Sequence, residues 1–312
     1  MTLLALLAAL PCLVWTQGVE GAATLKAAGV PRLCAPPALA EAWRAAGFSV
    51  LPLDAAELAA REKATAPRLR VRADRASATR SPWVYANGWQ FRRDPAGRYS
   101  YELPAGKAAL AAAEAFAYGV DAALVIDPAD VPELGRMQAF LAQLPPSDLA
   151  EVADLGVVDD GSDGVAEVLN LLSRRNLLYG IVKGPSAPFP VTVQLGTKEY
   201  PVEDASDPSE FALKVRRRLG DERRSLRIFG SEVVIARLTG DAARLRLHLL
   251  NYGGSDIEGL RVRVRGSYPT AQAQVSGQGG VTVTDHVVAG GATEFTLPRL
   301  TVYGVVDLSA SR

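Results

Sequence analysis

The stretch "GKAALAAAEAFAYGVDAALVID", residues 106–127, decides the fold class of this chain. Its alanine-rich part has the composition of a helix, and Gly119 is the residue type that most often follows a helix end. The apolar run that comes next has the length of a buried strand, with Asp127 at its carboxyl end. A helix followed at once by a buried strand is typical of a parallel sheet that is covered by helices.

The same alternation of strands and helices extends through most of the chain. Asp54 followed by Glu57 is one of several helix-cap signatures. After Gly220 the apolar period becomes two, as in "RLRLHLLN" at 244–251, which indicates antiparallel strands, and the domain boundary falls near residues 237–244. We therefore predict an α/β fold: a parallel-sheet body with a flavodoxin-like second half, followed by a small antiparallel β-sandwich. The predicted organisation is a signal peptide over 1–21, an α/β region over 22–150 with an aromatic excursion over 81–103, a flavodoxin-like domain over 151–238 and an immunoglobulin-like β-sandwich over 239–312.

The first residues have the pattern of an export signal. The apolar run at 3–10 has the length of a signal-peptide core and is too short to span a bilayer. Small residues follow from Gly21, although no Lys or Arg precedes the run. We expect cleavage after residue 21, a secreted or periplasmic protein, and no membrane span in the mature chain; the alternative is an internal hydrophobic helix. Cleavage would leave Cys34 as a free, buried thiol.

Charge and residue types exclude several functions. Lys plus Arg and Asp plus Glu number 34 each, and this balance argues against nucleic-acid binding. The loop "DDGSDG" at 159–164 places oxygen ligands at alternate positions but lacks the closing Glu of an EF-hand. Because no His/Cys cluster is present either, we predict no metal and no cofactor. His248 is expected to face solvent, on the arginine side of its strand.

The most unusual segment is "SPWVYANGWQFRRDPAGRYSYELPAGK", residues 81–107, which concentrates large rings in a chain with few aromatics. Rings beside amide, carboxylate and guanidinium groups suit a sugar, whose apolar face stacks on a ring while its hydroxyls form hydrogen bonds. The predicted ligand-binding residues are Trp83, Tyr85, Asn87, Trp89, Arg92 and Asp94. The alternative is a two-stranded excursion whose alternating rings pack on a sheet edge.

Three segments carry a resemblance to known proteins: residues 106–128, "LGRMQAFL" at 134–141, and the run that begins "DLGVVDDGS" at residue 154. They resemble the C-terminal half of bacterial glycoside-hydrolase-like proteins, where the end of a barrel precedes the glutamine-amidotransferase-like trimerisation domain of family 42 β-galactosidases. "LHLLNYGGSDIEGLRVRVRG", residues 247–266, is similar to the all-β tail of those proteins. The resemblance covers residues 104–312, and it implies a carbohydrate ligand and a homo-oligomer.

The chain departs from that pattern in two ways. A complete (β/α)₈ barrel takes about 200 to 250 residues, more than precede residue 154 here. The nucleophilic Cys and the His base of an amidotransferase are missing from the matching segment, because Cys34 lies upstream and both histidines lie in the β-rich tail. A full catalytic barrel and amidotransferase chemistry are therefore not expected.

Two carboxylates remain as candidate catalytic residues. Asp127 and Asp159 each follow an apolar strand, at the edge where parallel sheets bind ligands, and glycoside hydrolysis needs two such groups about 5 to 10 Å apart. Alternatively, both residues simply begin turns. We predict a secreted, non-catalytic glycosidase-like protein that binds carbohydrate or a protein partner. The alternatives are a reduced glycoside hydrolase that uses these strand-end carboxylates, and a structural, oligomer-forming envelope protein.

Overall fold

The structure, a computed structural model, describes residues 10–70, 82–185 and 188–310. The chain divides into two compact units. The first unit contains residues 1–68, 85–87 and 94–147, and the second contains residues 69–84, 88–93 and 148–312. The domain boundaries proposed at residues 150 and 238 stay predictions.

A six-stranded parallel sheet forms the first unit, with helices packed against it. The strands up to residue 125 are β1 (Cys12–Val14), β2 (Arg32–Ala35), β3 (Ser49–Pro52), β4 (Glu62–Ala64), β5 (Arg68–Arg70), β6 (Trp83–Tyr85), β7 (Arg98–Glu102) and β8 (Asp121–Val125). The helices of this part are α1 (Ala22–Ala28), α2 (Pro37–Ala45), α3 (Ala55–Ala60), α4 (Gly88–Arg93), α5 (Ala108–Tyr118) and α6 (Val131–Gln143), with 3₁₀ turns at Val19–Gly21 and Pro128–Asp130. The six-stranded sheet has the order β3-β2-β1-β8-β7-β4, and β5 pairs with β6 in a separate two-stranded sheet.

The first strand occupies the middle of this sheet, between β2 and β8. Cys12 is buried in it and forms a disulfide with Cys34, and the Gln138 side chain donates a hydrogen bond to the Pro11 carbonyl at 2.8 Å. The prediction of a free thiol at Cys34 is therefore wrong. The signal peptide over residues 1–21 stays a prediction, and in this structure those residues include the central strand β1. Residues 3–9 of the apolar run lie outside the described residues.

Residues 53–61 join the two outer strands, β3 and β4, across one face of the sheet. Leu58 on this connection packs with Cys12, Cys34 and Ala123. A flat six-stranded sheet would be about 24 Å wide, whereas helix α3 advances only about 1.5 Å per residue. Residues 53–61 are therefore too short to cross a flat sheet with length to spare, so the outer strands must curve toward each other beneath the connection.

The aromatic segment takes a different form from the predicted two-stranded excursion. Its first rings lie on β6, residues 88–93 form helix α4, and Arg98–Glu102 is an inner strand of the parallel sheet, paired with β4 and β8. A helix replaces the expected continuation of the first strand, which ends the period-two alternation after Tyr85. Tyr99 and Tyr101 are consequently buried in the core of the first unit.

The second unit combines a small parallel sheet with two antiparallel sheets. Its strands are β9 (Leu155–Val158), β10 (Tyr179–Val182), β11 (Thr192–Val193), β12 (Leu226–Phe229), β13 (Val234–Gly240), β14 (Arg244–Asn251), β15 (Ile257–Arg265), β16 (Thr270–Val275), β17 (Gly279–Val281), β18 (Thr284–Ala289), β19 (Ala292–Leu300) and β20 (Tyr303–Ser309). Its helices are α7 (Asp163–Arg174) and α8 (Pro208–Leu219), with 3₁₀ turns at Val202–Ser206 and Asp221–Arg223. The parallel order is β10-β9-β11, and the antiparallel orders are β12-β15-β19-β18 and β13-β14-β20-β16-β17.

The predicted fold class is confirmed: a parallel α/β arrangement precedes a β-rich C-terminal part of antiparallel sheets. The prediction for His248 is wrong, because this residue is buried on β14, which is paired on both sides, by β13 and β20. Its ring nitrogen Nδ1 lies 2.6 Å from the Tyr303 hydroxyl, so a buried polar partner replaces the expected solvent. Within the described residues, every helix falls short of the length and hydrophobicity needed to cross a membrane.

Candidate functional site

The most organised polar group at a strand end of the second unit is the pair Arg93–Asp159. Asp159 follows β9, and its carboxylate accepts hydrogen bonds from Arg93 Nε and Nη2, both at 2.8 Å. The backbone N–H of Gly161 donates a further bond to Asp159 at 3.0 Å. The side chain of Asp159 is only 11% exposed, so this bidentate pair is held in a fixed geometry and largely protected from water.

The loop after Asp159 leads into helix α7. The Ser162 side chain accepts a hydrogen bond from the Val165 N–H at 3.3 Å and caps the helix. Asp160 is exposed. Hydrogen bonds from the Ser162 hydroxyl and backbone N–H lower the pKa of the Asp160 carboxyl below its usual value. An ionised, exposed acceptor therefore lies directly beside the Arg93–Asp159 pair.

Two half-buried tryptophans lie along the same helix. Helix α4 packs against α7, and its Trp89 contacts the apolar core of the second unit while its ring centroid lies 5.7 Å from Arg93 Cζ. Trp83 lies at the other end of α7, where Arg174 Cζ is 3.5 Å from its ring centroid. We call the set Trp83, Trp89, Arg93, Asp159 and Asp160 the tryptophan surface.

Arg92, which was predicted to bind ligand, points inward instead. Its side chain is 6% exposed and forms an ion pair with Glu151 at 2.7 Å. Its guanidinium carbon lies 4.6 Å from the ring centroid of Tyr179, which is fully buried. Arg92 therefore stabilises the interior of the second unit, whereas its neighbour Arg93 reaches the strand-end loop.

Three other predicted ligand residues belong to the first unit. Asn87 is 2% exposed, and both its side-chain amide and its backbone N–H donate to the Glu114 carboxylate at 2.7 Å. The ring centroid of Tyr85 lies 4.5 Å from Arg68 Cζ. Asp94 is exposed in a turn, and its carbonyl accepts a hydrogen bond from the Tyr99 hydroxyl at 2.7 Å. The six predicted ligand residues therefore do not share one compact unit.

The two candidate catalytic carboxylates also belong to different units. Asp127 is exposed and accepts a hydrogen bond from the Ala129 N–H at 2.9 Å, so it caps the short turn that follows β8. Asp159 is engaged by Arg93 as described above. Each carboxylate thus has a local structural partner. In the parts of the chain that the structure describes, no three His, Cys, Asp or Glu side chains come together as a metal site.

Sequence reasoning missed Arg93, Arg174 and Glu114. Arg93 follows Trp89 by four residues, a spacing that places two side chains on one helix face. That signal becomes readable only once residues 88–93 are known to be helical. Glu114 lies in an alanine-rich helix that is buried on nearly every side. A single carboxylate in such a helix indicates a buried partner, which here is Asn87 together with the Tyr101 hydroxyl at 2.8 Å.

No protein-family model matches the sequence, and no curated protein matches it. Among solved structures, the chain is similar to α-L-fucosidase isoenzyme 2 from Paenibacillus thiaminolyticus, with 9% identity, 69% of this chain and 61% of that chain covered, and a TM-score of 0.51. A weaker likeness is to the β-galactosidase from Rahnella sp. R3, with 10% identity, 65% of this chain and 51% of that chain covered, and a TM-score of 0.38. Another is to the rhamnosidase from Novosphingobium sp. PP1Y, with 9% identity, 88% of this chain and 38% of that chain covered, and a TM-score of 0.40. The chain thus spans about three fifths or less of the length of these enzymes. Such low identity shows the fold alone, and that fold is glycoside-hydrolase-like.

Proposed function

We propose that this protein is a secreted, non-catalytic, glycosidase-like protein that binds carbohydrate on the tryptophan surface. The observation that carries the proposal is the position of Trp89 next to the fixed Arg93–Asp159 pair. A half-buried ring offers a flat apolar face, and the neighbouring polar groups offer directed donors and acceptors for hydroxyls. Because protein contacts already hold these groups, binding a sugar would cost little additional side-chain entropy.

The way Asp159 and Asp127 are used supports a binding function over hydrolysis. A general acid must hold a proton that it can deliver to the glycosidic oxygen. Asp159 instead accepts three hydrogen bonds, two of them from the Arg93 guanidinium group, so the protein itself engages this carboxylate. Asp127 caps a turn. Both carboxylates thus serve local structural contacts.

The disulfide supports the extracellular or periplasmic part of the proposal. Cys12 and Cys34 lie on adjacent strands of the first unit and are both buried. Disulfides of this structural kind form and persist mainly in oxidising compartments. An export signal consistent with this fold would have to leave Cys12 in the mature protein, so any cleavage should occur before residue 12.

The direct test is affinity electrophoresis of the full chain through gels that contain neutral polysaccharides, with thermal unfolding measured in parallel. We expect at least one polysaccharide to retard the wild type, Trp89→Ala to abolish the retardation, and Trp89→Phe to restore part of it, because phenylalanine keeps a smaller stacking face. Phe140→Ala is the matched control, since it removes a half-buried ring from helix α6 in the first unit. This control should migrate like the wild type.

Three outcomes would count against the proposal. Retardation that is equal for Trp89→Ala and Phe140→Ala would remove the tryptophan surface from the binding site. Failure of every polysaccharide to retard the wild type would reject carbohydrate binding. Turnover of aryl glycosides that disappears in both Asp127→Asn and Asp159→Asn would favour the reduced hydrolase instead.

A further inference from the structure

The antiparallel part of the second unit has one face that no function proposed above uses. On the outer side of the sheet β12-β15-β19-β18, arginines alternate along β15 at positions 261, 263 and 265. Because side chains alternate between faces along a strand, these three arginines share one side of the sheet. The residues that alternate with them, Leu260, Val262 and Val264, are buried. Phe229 on the edge strand β12 is paired with Arg261 in the sheet register and is exposed.

Cationic groups flank the exposed ring. Arg227 Cζ lies 5.1 Å and Arg261 Cζ lies 5.7 Å from the ring centroid of Phe229. Glu294 on the neighbouring strand forms an ion pair with Arg261 and another with Arg263 at 3.3 Å. These contacts place two guanidinium groups beside the ring of Phe229.

A second cluster continues this basic surface at the β12 edge. Asp221 accepts two hydrogen bonds from Arg216, at 2.7 and 2.6 Å, and also lies 3.4 Å from Arg224 and 3.7 Å from Arg227. Hydrogen bonding to Arg216 holds the pKa of the Asp221 carboxyl far below its usual value. Together, five arginines share two carboxylates, Asp221 and Glu294, and an excess of positive charge remains on this side of a chain whose formal net charge is zero.

A groove lies on the β19 and β18 side of Arg261. It is lined by Arg261, Asp285, Val287, Ala292, Glu294 and Thr296, among others, and has a volume of about 460 Å³. The apolar side chains supply a floor for a sugar ring. The carboxylates of Asp285 and Glu294 can accept hydrogen bonds from the hydroxyl groups of a sugar. The combination favours a chain that carries both hydroxyl and acidic groups.

We propose that this surface, the arginine face (Arg216, Arg227, Phe229, Arg261 and Arg263), binds a polysaccharide that contains uronic acid. The ligand's carboxylates pair with Arg227 and Arg261, which flank Phe229, because guanidinium and carboxylate groups form bidentate, charge-assisted hydrogen bonds. An adjacent sugar ring lies against Phe229, and the polysaccharide continues past Arg261 into the groove. The interaction requires no chemistry on the ligand and none of the residues of the tryptophan surface.

The experiment compares two forms of one polymer, polygalacturonate and its fully methyl-esterified form, which share a backbone and differ in charge. Binding of the full-length protein is measured by affinity electrophoresis and by calorimetry. We expect polygalacturonate alone to bind, and the double variant Arg227→Gln/Arg261→Gln to weaken binding about tenfold or more, since two charge-assisted contacts are lost. Arg244→Gln is the control, because Arg244 is an exposed arginine on the other antiparallel sheet, and it should change affinity less than about twofold.

The outcomes separate this proposal from its competitors and from the proposed function. Equal binding of the methyl ester, or equal weakening by Arg244→Gln, would overturn it. Single-stranded DNA of the same charge bound as tightly as polygalacturonate would show attraction by charge alone and would also overturn it. Trp89→Ala should leave polygalacturonate binding unchanged, so a failure of the tryptophan surface and a failure of the arginine face give different results.

Discussion

Reduction of the Cys12–Cys34 disulfide should measurably destabilise the first unit. The bond links two residues 22 positions apart, within a buried part of the sheet. Reduction with dithiothreitol after partial unfolding leaves both side chains in place, so the measured change isolates the cross-link from the loss of packing that a substitution would cause.

The expected magnitude follows from the length of the closed loop. In the chain-entropy model, a loop of this length lowers the entropy of the unfolded chain by roughly 11 cal/mol/K, which corresponds to about 3.4 kcal/mol at 25 °C. Native proteins are stable by only about 5–15 kcal/mol. Loss of this cross-link should therefore remove a large fraction of the free energy of unfolding of the first unit.

The assay is urea unfolding monitored by tryptophan fluorescence, with and without reductant, together with the intact mass of the unreduced protein. We expect the unfolding midpoint to fall on reduction, and the mass to lie two hydrogens below the value for free thiols. The double variant Cys12→Ala/Cys34→Ala is the control, and its midpoint should not respond to reductant. An unchanged wild-type midpoint, or two free thiols in freshly purified protein, would refute the reasoning. A mature chain that begins after residue 21 would do the same.

Two further predictions concern buried polar groups. Asn87→Ala should lower the free energy of unfolding by about 3–5 kcal/mol, because it removes two hydrogen bonds to the Thr65 backbone and one to Glu114. Asn170→Ala, at a buried amide oxygen with no hydrogen-bond partner among the described residues, should cost less than about 1 kcal/mol, and equal losses in urea unfolding would contradict the assigned network. For His248, burial, together with Arg237 and Arg246, lowers the pKa well below its usual value of 6.5, so the folded state keeps the ring neutral while the unfolded chain takes up a proton. The contribution of neutral His248 to the free energy of unfolding should therefore be complete above about pH 6.5. Below that pH it should decrease by up to about 1.4 kcal/mol per pH unit. His248→Gln should reduce this dependence and His286→Gln should not, and an identical pH profile for His248→Gln and wild type would disprove the assignment.

The sequence allowed the fold class to be predicted because helix caps and apolar runs are local signals. Gly119 and Asp54 lie at the helix boundaries that their types indicate, with Gly119 in the left-handed conformation and Asp54 accepting the Glu57 N–H. The amino-terminal strand could not be recognised in this way. Cys12–Val14 has only three residues, too few to show a period, and its assignment as a strand depends on the pairing with β2 and β8.

The candidate site was harder to predict, because it depends on which side of a helix each residue faces. Arg92 and Arg93 are neighbours in sequence, yet one contacts Glu151 inside the second unit and the other binds Asp159 at the strand end. Composition placed Asn87 among ligand-binding residues, whereas its amide satisfies the backbone of Thr65 and a buried carboxylate. Polar side chains beside rings can serve the fold instead of a ligand, and only the three-dimensional arrangement shows which partners they have.

The strand order of the first unit has a consequence for how this protein is made. Strand β1 precedes both of its neighbours in the chain, and the second of them, β8, is complete only at Val125. At a synthesis rate of about 5–20 residues per second, one edge of β1 remains unpaired for several seconds until β8 is made. An unpaired apolar edge is a template for pairing with other chains. Oxidation of Cys12 with Cys34 can occur long before then, because both cysteines emerge early. The bond would hold β1 against β2 during this interval, when the nascent chain is most vulnerable to pairing with another copy of itself.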